Sequence, residues 1–270
     1  MTIKKNILAG LALAIGLSSC VVNVEDQIID KEALVNASSF TSLTFDGGDL
    51  ADKLVIHGDS QDSLTAFARA SVWANSDEDA KRIAEGMNLK WSGTSDARLA
   101  IEYPGSEKEF VRIEKLSIDA PQRLDVNIDL SSADLDISNM KGNVNVDVSS
   151  GDVKVSTEGR VNVESSSGDV TVTTGKGGDL DVSSGDIRMD VTNRNFENVH
   201  IESSSGNVTI NIADGSGIDF ELESSSGVVA INYGGFSTIE HEGSITVSVN
   251  GGGRKVYVSS SSGDIQISKL

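Results

Sequence analysis

Along most of this chain, apolar and polar residues alternate in short runs, and the runs stop at a recurring stretch of serine, glycine and aspartate. The clearest copy is residues 165–169, Ser-Ser-Ser-Gly-Asp, which is followed by Val170 and Val172. Before the previous copy, residues 144–148 alternate valine with Asn145 and Asp147. Because successive side chains of a strand point to opposite faces, these runs predict strands with one apolar face.

The stretch recurs at intervals of 16 to 21 residues. Each interval holds two period-2 runs and two turns, and near-constant intervals of this kind are typical of stacked structural units. We therefore predict an all-β chain in which residues from about Leu124 stack as eight coils of a β-solenoid. The glycine position of the copies, which is alanine in the first, falls at Ala133, Gly151, Gly168, Gly185, Gly206, Gly227, Gly243 and Gly263.

An antiparallel meander, with Ser-Ser-Ser-Gly as a hairpin loop, is the alternative architecture. Stacked coils explain the repetition better, because a hairpin stack has no need for the same residues at the same corner eight times. In stacked coils, serine above serine can form a hydroxyl ladder, and glycine permits a tight corner in every coil. The last coil has no obvious C-terminal cap, so we expect a partner or another copy of the chain to cover it.

Aspartates follow the corner glycine in several copies, and they have two interpretations. Calcium-binding repeats use aspartate and carbonyl oxygens between coils, but here the second glycine and the opposite-corner aspartate of such repeats are missing. A structural role is favoured, in which serine hydroxyls and corner N–H groups donate to the carboxylates. We predict no metal or cofactor. The predicted corner residues are Gly151, Asp152, Gly168, Asp169, Gly185, Asp186, Gly206, Gly227, Gly263 and Asp264.

Residues 40–123 are less regular than the repeats that follow in residues 124–270. Within them, residues 76–87 have the pattern of a short helix: Ser76 can cap its first turn, three acids follow, and the apolar positions share one face. Solenoids need covers at their ends, so we interpret this helix as a cap for the N-terminal end of the stack. Trp73 and Trp91 flank the helix and are expected in the core rather than in a ligand site.

The first 20 residues have the pattern of a signal peptide, with Lys4 and Lys5 before a short apolar segment. The segment ends in Leu-Ser-Ser-Cys, which resembles a bacterial lipobox, and this resemblance implies cleavage before Cys20 and acylation of that residue. An ordinary secretory signal with a chance cysteine is the alternative. Residues 21–39 are polar and acidic and are predicted to be a tether. Val21 stands where an inner-membrane retention signal would place aspartate, so we expect the outer membrane.

The composition narrows the classes of partner. The chain carries a formal charge of −19, and removing residues 1–20 deletes two lysines and no acid, giving −21. Such a surface repels nucleic acid and favours solubility. Enzyme signals are absent: there is no Gly-x-Ser-x-Gly motif, and His57, His200 and His241 match no metal-binding spacing.

Together, the signal with Cys20, residues 116–121 and the Ser-Ser-Ser-Gly-Asp-Val-x-Val repeats resemble a bacterial family of putative adhesins of unknown function. That family is related to the GIN head domain of putative auto-transporter adhesins. The resemblance spans residues 40–270 and implies a right-handed parallel β-helix or β-roll, and it brings no catalytic residue.

We therefore expect a membrane-anchored, non-catalytic, adhesin-like or scaffolding module of the cell envelope. Its expected partners are the membrane, another copy of itself, or an envelope polysaccharide or protein. The alternative is a polysaccharide-acting enzyme on a β-helix, which a compact cluster of acids with a lysine or arginine on one face would favour.

Overall fold

The computed structural model describes residues 25–48, 52–74, 76–104 and 111–270. Strands dominate this part of the chain, and it contains one helix. The elements in chain order are β1 Glu25–Asn36, β2 Ser42–Gly48, β3 Lys53–Asp59, β4 Ser63–Ala74, α1 Asp77–Gly86, β5 Asn88–Ser92, β6 Asp96–Glu102, β7 Val111–Pro121, β8 Asp125–Ser132, β9 Asp134–Met140, β10 Val144–Ser150, β11 Val153–Thr157, β12 Val161–Ser167, β13 Val170–Thr174, β14 Gly177–Ser184, β15 Ile187–Val191, β16 Asn198–Ser205, β17 Val208–Ile212, β18 Ile218–Tyr233, β19 Phe236–Val249, β20 Arg254–Ser260 and β21 Ile265–Lys269.

The repeats form a solenoid-like stack of parallel coils. In each coil, one strand precedes the Ser-Gly corner and one follows it, and both pair in parallel and in register with the next coil. The strands before the corner make a front sheet, which contains β2, β8, β10, β12, β14, β16, β20 and the first half of β18. The strands after it make a back sheet, which contains β3, β9, β11, β13, β15, β17, β21 and the second half of β18.

The apolar positions of both sheets point between them and form one continuous core. Val146, Val155 and Val172 are at most 4% exposed, as the period-2 pattern predicts. The core extends from Ala37, just before the first coil, to Ile267 in the last strand. Each coil is therefore held by the apolar side chains of the coils above and below it, and burial of this surface is the main stabilising contribution.

The corner glycines lie directly above one another, and the geometry leaves no room for a side chain. A Cβ atom on Gly168 would lie 2.1 Å from the carbonyl oxygen of Gly151, and Gly168 has a φ of +117°. The same contact recurs down the column, from Gly185 onto Gly168 and from Gly206 onto Gly185. Close stacking and left-handed backbone together require glycine here.

The C-terminal coils are stacked out of chain order. The coil of residues 254–269 lies between those of residues 198–212 and 218–233. Strand β19 then returns antiparallel to β18 across a two-residue Gly234-Gly235 turn and covers the end of the stack. The copy at Gly243 therefore lies in a return strand and is not the corner of a parallel coil. The coil that ends the chain is covered on both sides, so the expectation that it lacks a cover is wrong, while self-association itself stays a prediction.

At the other end, the stack begins earlier than the repeats predict. The coil of residues 42–59 pairs in parallel with that of residues 125–140, although it lacks the Ser-Gly corner. Strand β1 pairs with β4 along its whole length, so residues 25–36 belong to the fold and are not a free tether. Helix α1, capped by Ser76, packs Ala80, Ile83 and Ala84 against the β1–β4 ribbon.

Candidate interaction surface

The outer face of the front sheet carries one carboxylate on each of six neighbouring strands. We call these side chains the acidic row. Because the strands pair in register, the row runs across the coils with the spacing of the sheet, about 4.8 Å per strand. All six residues are exposed. The acidic row is Asp46, Asp129, Asp147, Glu164, Asp181 and Glu202.

Most of this row has no compensating charge. Glu202 contacts His200, with 3.1 Å between Oε1 and Nε2. Asp129, Asp147, Glu164 and Asp181 make no hydrogen bond or ion pair with another residue in the described part of the chain. Like charges directly opposite on neighbouring strands are destabilising, by roughly 1 kcal/mol per pair at this distance in water. The row therefore opposes folding slightly and attracts hydrogen-bond donors and cations.

A second row of polar side chains runs beside the acidic row, two residues earlier on each strand. Its first members form a chain of amides: Asn162 Nδ2 donates to Asn145 Oδ1 at 2.8 Å, and Asn145 Nδ2 donates to Asn127 Oδ1 at 2.8 Å. This series of amide hydrogen bonds ends at Asn162, whose Oδ1 is buried and has no donor within the described residues. The reason is that the next strand places the acceptor Asp179 at this position.

Two adjoining open hollows lie along these rows, with volumes of about 370 and 350 Å³. The second hollow is lined by Asp179, Asp181, His200 and Glu202, among others. At its edge, the Arg160 guanidinium lies 2.7 Å from an Asp179 carboxylate oxygen. The His200 ring is stacked on Tyr257, with 4.7 Å between centroids. This end of the face combines acceptors, a flat ring pair and one arginine.

Asp219, further along the same face, shows how an acid behaves when donors are present. Its carboxylate accepts hydrogen bonds from the Ser248 hydroxyl and from the Gly253 backbone N–H. These bonds, the hydroxyl first, lower the pKa of Asp219 because they favour its charged form. Asp219 thereby ties the β19–β20 turn to β18.

The predicted corner aspartates form a separate row, and each is bound to the next coil. Asp152 Oδ1 accepts from the Asp169 backbone N–H at 3.0 Å, and Asp169 Oδ1 accepts from that of Asp186 at 2.9 Å. Asn207 continues the series in the same way, donating its N–H to Asp186 and accepting from Asp264. The donors are backbone groups, so the structure supports the structural interpretation of these residues.

The spatial order of the coils also explains the breaks in the aspartate series. Val228 N–H donates to Asp264 at 2.9 Å, but no parallel coil follows Val228, so its own side chain needs no acceptor. Ser244 lies in the return strand and never belongs to the corner. Among the described residues, no group of three or more His, Cys, Asp and Glu side chains is arranged to hold a metal ion.

The corner serines stack as predicted, but they do not form a hydroxyl ladder. The Ser224 hydroxyl donates to the Gly263 carbonyl at 2.9 Å, and that of Ser165 to the Ser167 carbonyl at 3.4 Å. The buried hydroxyls of Ser203 and Ser260 have no partner in the part of the chain that the structure describes. The stack places Ser203, Ser260 and Ser224 side by side on neighbouring strands, but none of these hydroxyls bonds to another within the described residues.

The remaining predicted residue, Cys20, lies outside the described residues.

The acidic row was missed, although the sequence contains its signal. When the copies are aligned on the corner glycine, an acid stands four residues earlier in six of the seven copies that form parallel coils. The exception is Ser259.

Helix α1, the one helix in the described ranges, is not long and apolar enough to cross a membrane.

Residues 115–268 match the model of the Toastrack DUF4097 family, which is more than half of the chain. A solved structure of a putative cell adhesion protein from Clostridium sporogenes is similar, at 16% identity over 90% of this chain and 100% of that one, with a TM-score of 0.40. A putative adhesin from Bacteroides fragilis is similar at 12% identity over 89% and 97%, with a TM-score of 0.38. No curated protein matches the sequence.

Proposed function

The chain belongs to the Toastrack DUF4097 family, and we propose that it is an envelope-anchored lipoprotein that acts as a non-catalytic, adhesin-like or scaffolding interaction module. The observation that carries this proposal is the acidic row on the front sheet. It is a long and repetitive surface whose carboxylates have few partners among the described residues. Such a surface suits weak contacts that are repeated many times and add up through effective concentration.

The chemistry of the face indicates what would bind there. Carboxylates and amide oxygens are acceptors, so the ligand supplies donors: the hydroxyl groups of an envelope polysaccharide, or the lysine and arginine side chains of an envelope protein. The stacked rings of His200 and Tyr257 offer a flat apolar surface beside these acceptors. The acidic surface disfavours nucleic acid as a partner.

The proposal places the protein at the outer membrane, held by acyl chains on Cys20. Several acyl chains on one residue give durable anchoring, unlike a single chain. We further propose that the coils wind in the right-handed sense, which parallel strand connections adopt almost always, and that the chain is related to the GIN head domain.

One observation favours the enzyme alternative. Asp179, Asp181 and Glu202 lie in one hollow with Arg160 at its edge, a compact set of acids with a cation. However, a general acid that works near neutral pH needs a desolvated carboxyl group. The side chains of Asp179 and Glu202 are 54% and 56% exposed, so this hollow does not provide that environment. The binding module is therefore the better supported function.

The test is a binding screen with the mature chain made without its lipid. Envelope polysaccharides and basic envelope proteins are the probes, and the triple variant Asp147→Asn, Glu164→Gln and Asp181→Asn removes the centre of the acidic row. We expect binding that weakens at least about tenfold in the variant and falls with added salt. The matched control is Asp136→Asn on the outer face of the back sheet, which should bind as wild type does.

Two results would contradict the proposal. Equal binding by the triple variant and the wild type would show that the acidic row is not the contact surface. Turnover of a polysaccharide that is lost on changing Asp181 or Glu202 alone would support the enzyme instead.

A further inference from the structure

The antiparallel ribbon of β1 and β4 lies at the N-terminal edge of the back sheet and has two different faces. Its pairing places Ile28 opposite Ser71, Glu32 opposite Phe67 and Leu34 opposite Thr65. Ile28, Leu34 and Phe67 are 59%, 68% and 40% exposed, so all three point outward. They are three of the five exposed large apolar side chains in the described ranges. The other two are Ile239, on β19 beside the back-sheet half of β18, and Leu270, which directly follows β21.

Trp73 belongs to the same outward face. The residues of β4 alternate, with Ala66, Ala68, Ala70, Val72 and Ala74 buried and the residues between them more exposed. Trp73 is one of these, two residues beyond Ser71, and it is half-buried. The inner face of the ribbon is already covered, because Val72 and Ala74 contact Ala80 and Ile83 of helix α1. On the outer face, Ile28, Leu34 and Phe67 stay exposed and Trp73 is partly exposed.

This face carries charges of both signs, in contrast to the acidic row: Asp30 and Glu32 lie on β1, and Arg69 lies on β4. Arg69 Nε lies 3.1 Å from Asp30 Oδ1 in the centre of the ribbon. Lys115 is next to Arg69 on the neighbouring strand. Apolar side chains, a tryptophan and an arginine with a paired charge are the combination found where proteins meet the interface of a bilayer. The acidic row lies on the opposite sheet, where it would point away from such a bilayer.

The length of the chain before β1 restricts where this ribbon can lie. Five residue steps separate Cys20 from Glu25, the first residue of β1, and even a fully extended chain of that length spans only about 18 Å. If Cys20 carries the acyl chains, the first residues of β1 cannot be further than this from the lipid surface. A long tether that lifts the fold away from the membrane is excluded by the pairing of residues 25–36 with β4.

We infer that the outer face of the β1–β4 ribbon, with Ile28, Leu34, Phe67 and Trp73, lies on the bilayer that holds the lipid anchor. The protein would thereby present its acidic front sheet to the envelope space. This inference rests on the proposed anchoring at Cys20. The contact is weak without the anchor and becomes effective because the anchor keeps the ribbon at high local concentration next to the membrane.

Depth-dependent fluorescence quenching tests this contact with a natural probe. The chain has two tryptophans, and Trp91 packs against the core with its Nε1–H donating to the Ala33 carbonyl at 3.1 Å. The full lipidated protein with Trp91→Phe, which leaves Trp73, is placed in phosphatidylcholine vesicles that contain brominated lipids. We expect strong quenching of Trp73 by bromines near the headgroups, weaker quenching by bromines near the bilayer centre, and little quenching for the unlipidated chain at the same concentration.

The double substitution Leu34→Ser and Phe67→Ser should remove most of this quenching while acylation is unchanged. Both side chains are exposed, so the variant should keep the circular dichroism spectrum of the parent. Ile239→Ser is the matched control, because Ile239 is 63% exposed at the other end of the back sheet. It should leave the quenching as it is.

The outcomes distinguish the anchoring at Cys20 from the contact of the ribbon with the bilayer. Mass spectrometry that finds no acyl groups on Cys20 would overturn the anchoring and the ribbon contact together. An acylated protein whose Trp73 is not quenched, or whose quenching survives the double substitution, would overturn the ribbon contact alone and leave the anchoring intact.

Discussion

Two rows of acidic side chains cross the coils of this protein, one at the corner and one on the outer face of the front sheet. Both have the strand spacing, both are exposed, and both place like charges on neighbouring coils. In the corner row, Asp152 and Asp169 each accept a backbone N–H from the next coil. In the acidic row, Glu164 and Asp181 have no such donor within the described residues.

The difference comes from the backbone. On the front sheet, the N–H groups are already used by the parallel ladder between strands, so the outward carboxylates of Asp147, Glu164 and Asp181 find no backbone donor. At the corner the ladder is interrupted, and an N–H of the next coil is free to bind the side chain. The same residue type therefore stabilises the stack at one position and is available for a ligand at the other, which means that repetition of an acid in a solenoid does not by itself indicate its role.

The largest effect is expected where the corner loses its glycine. Gly168→Ala places a Cβ against the Gly151 carbonyl and strains a positive φ, so we expect a loss of about 3 to 5 kcal/mol in the free energy of unfolding. Urea denaturation followed by circular dichroism measures it. Gly235→Ala is the control, since Gly235 also has a positive φ but nothing lies near its Cβ position, and it should lose less. Equal losses would mean that close stacking at the corner contributes nothing.

Salt should affect the two rows differently. Screening removes repulsion in the acidic row but hardly weakens short hydrogen bonds at the corner, so stability should rise by up to about 1 kcal/mol between low salt and 0.5 M sodium chloride. In the triple variant Asp147→Asn, Glu164→Gln and Asp181→Asn, most of this increase should vanish. If the stability of the variant rises with salt as much as that of the wild type, the repulsion comes from residues outside the acidic row.

The smallest effect concerns Asp219, the front-face acid that does have donors. Its pKa is lowered in the folded state, so its contribution to stability is present above the unfolded pKa and is lost as the pH falls through the folded value. Asp219→Asn should therefore lower the melting temperature slightly at pH 6, and this difference should shrink as the pH falls. A difference that grows towards acid pH would have the wrong sign for this explanation.

The local pattern was sufficient to predict the strands of the repeats, their inward valines and the corner glycines, but not strand β1, whose residues were predicted to be a tether. Period 2 is a property of each strand by itself, and a residue such as Gly168 reflects a contact that recurs in every coil. The order of the last coils was not predictable, because residues 218–233 and 254–269 carry the same alternation and either could follow residues 198–212. Only long-range pairing decides this, and it also makes residues 236–249 an antiparallel cover.

The first coil was missed for a related reason. Residues 42–59 have no Ser-Gly corner, and only one of their neighbours is a regular coil, because on the other side β2 pairs with β6 and β3 pairs with β7. The acidic row could have been found by aligning the copies, since Asp147, Glu164 and Asp181 share one place relative to the corner glycine. The sequence cannot tell that these acids are unpaired while those at the corner are bound, because that depends on backbone donors that only the folded coils position.

The most direct test of the two roles compares the same substitution in both rows. Asp169→Ala and Asp181→Ala each remove one exposed carboxylate, twelve residues apart in sequence, and urea denaturation gives the free energy of unfolding for both. We predict that Asp169→Ala loses about 1 to 2 kcal/mol, since the N–H of Asp186 loses its acceptor, whereas Asp181→Ala loses nothing or gains a few tenths of a kcal/mol. Destabilisation by Asp181→Ala as large as that by Asp169→Ala would contradict the division into a structural row and a binding row.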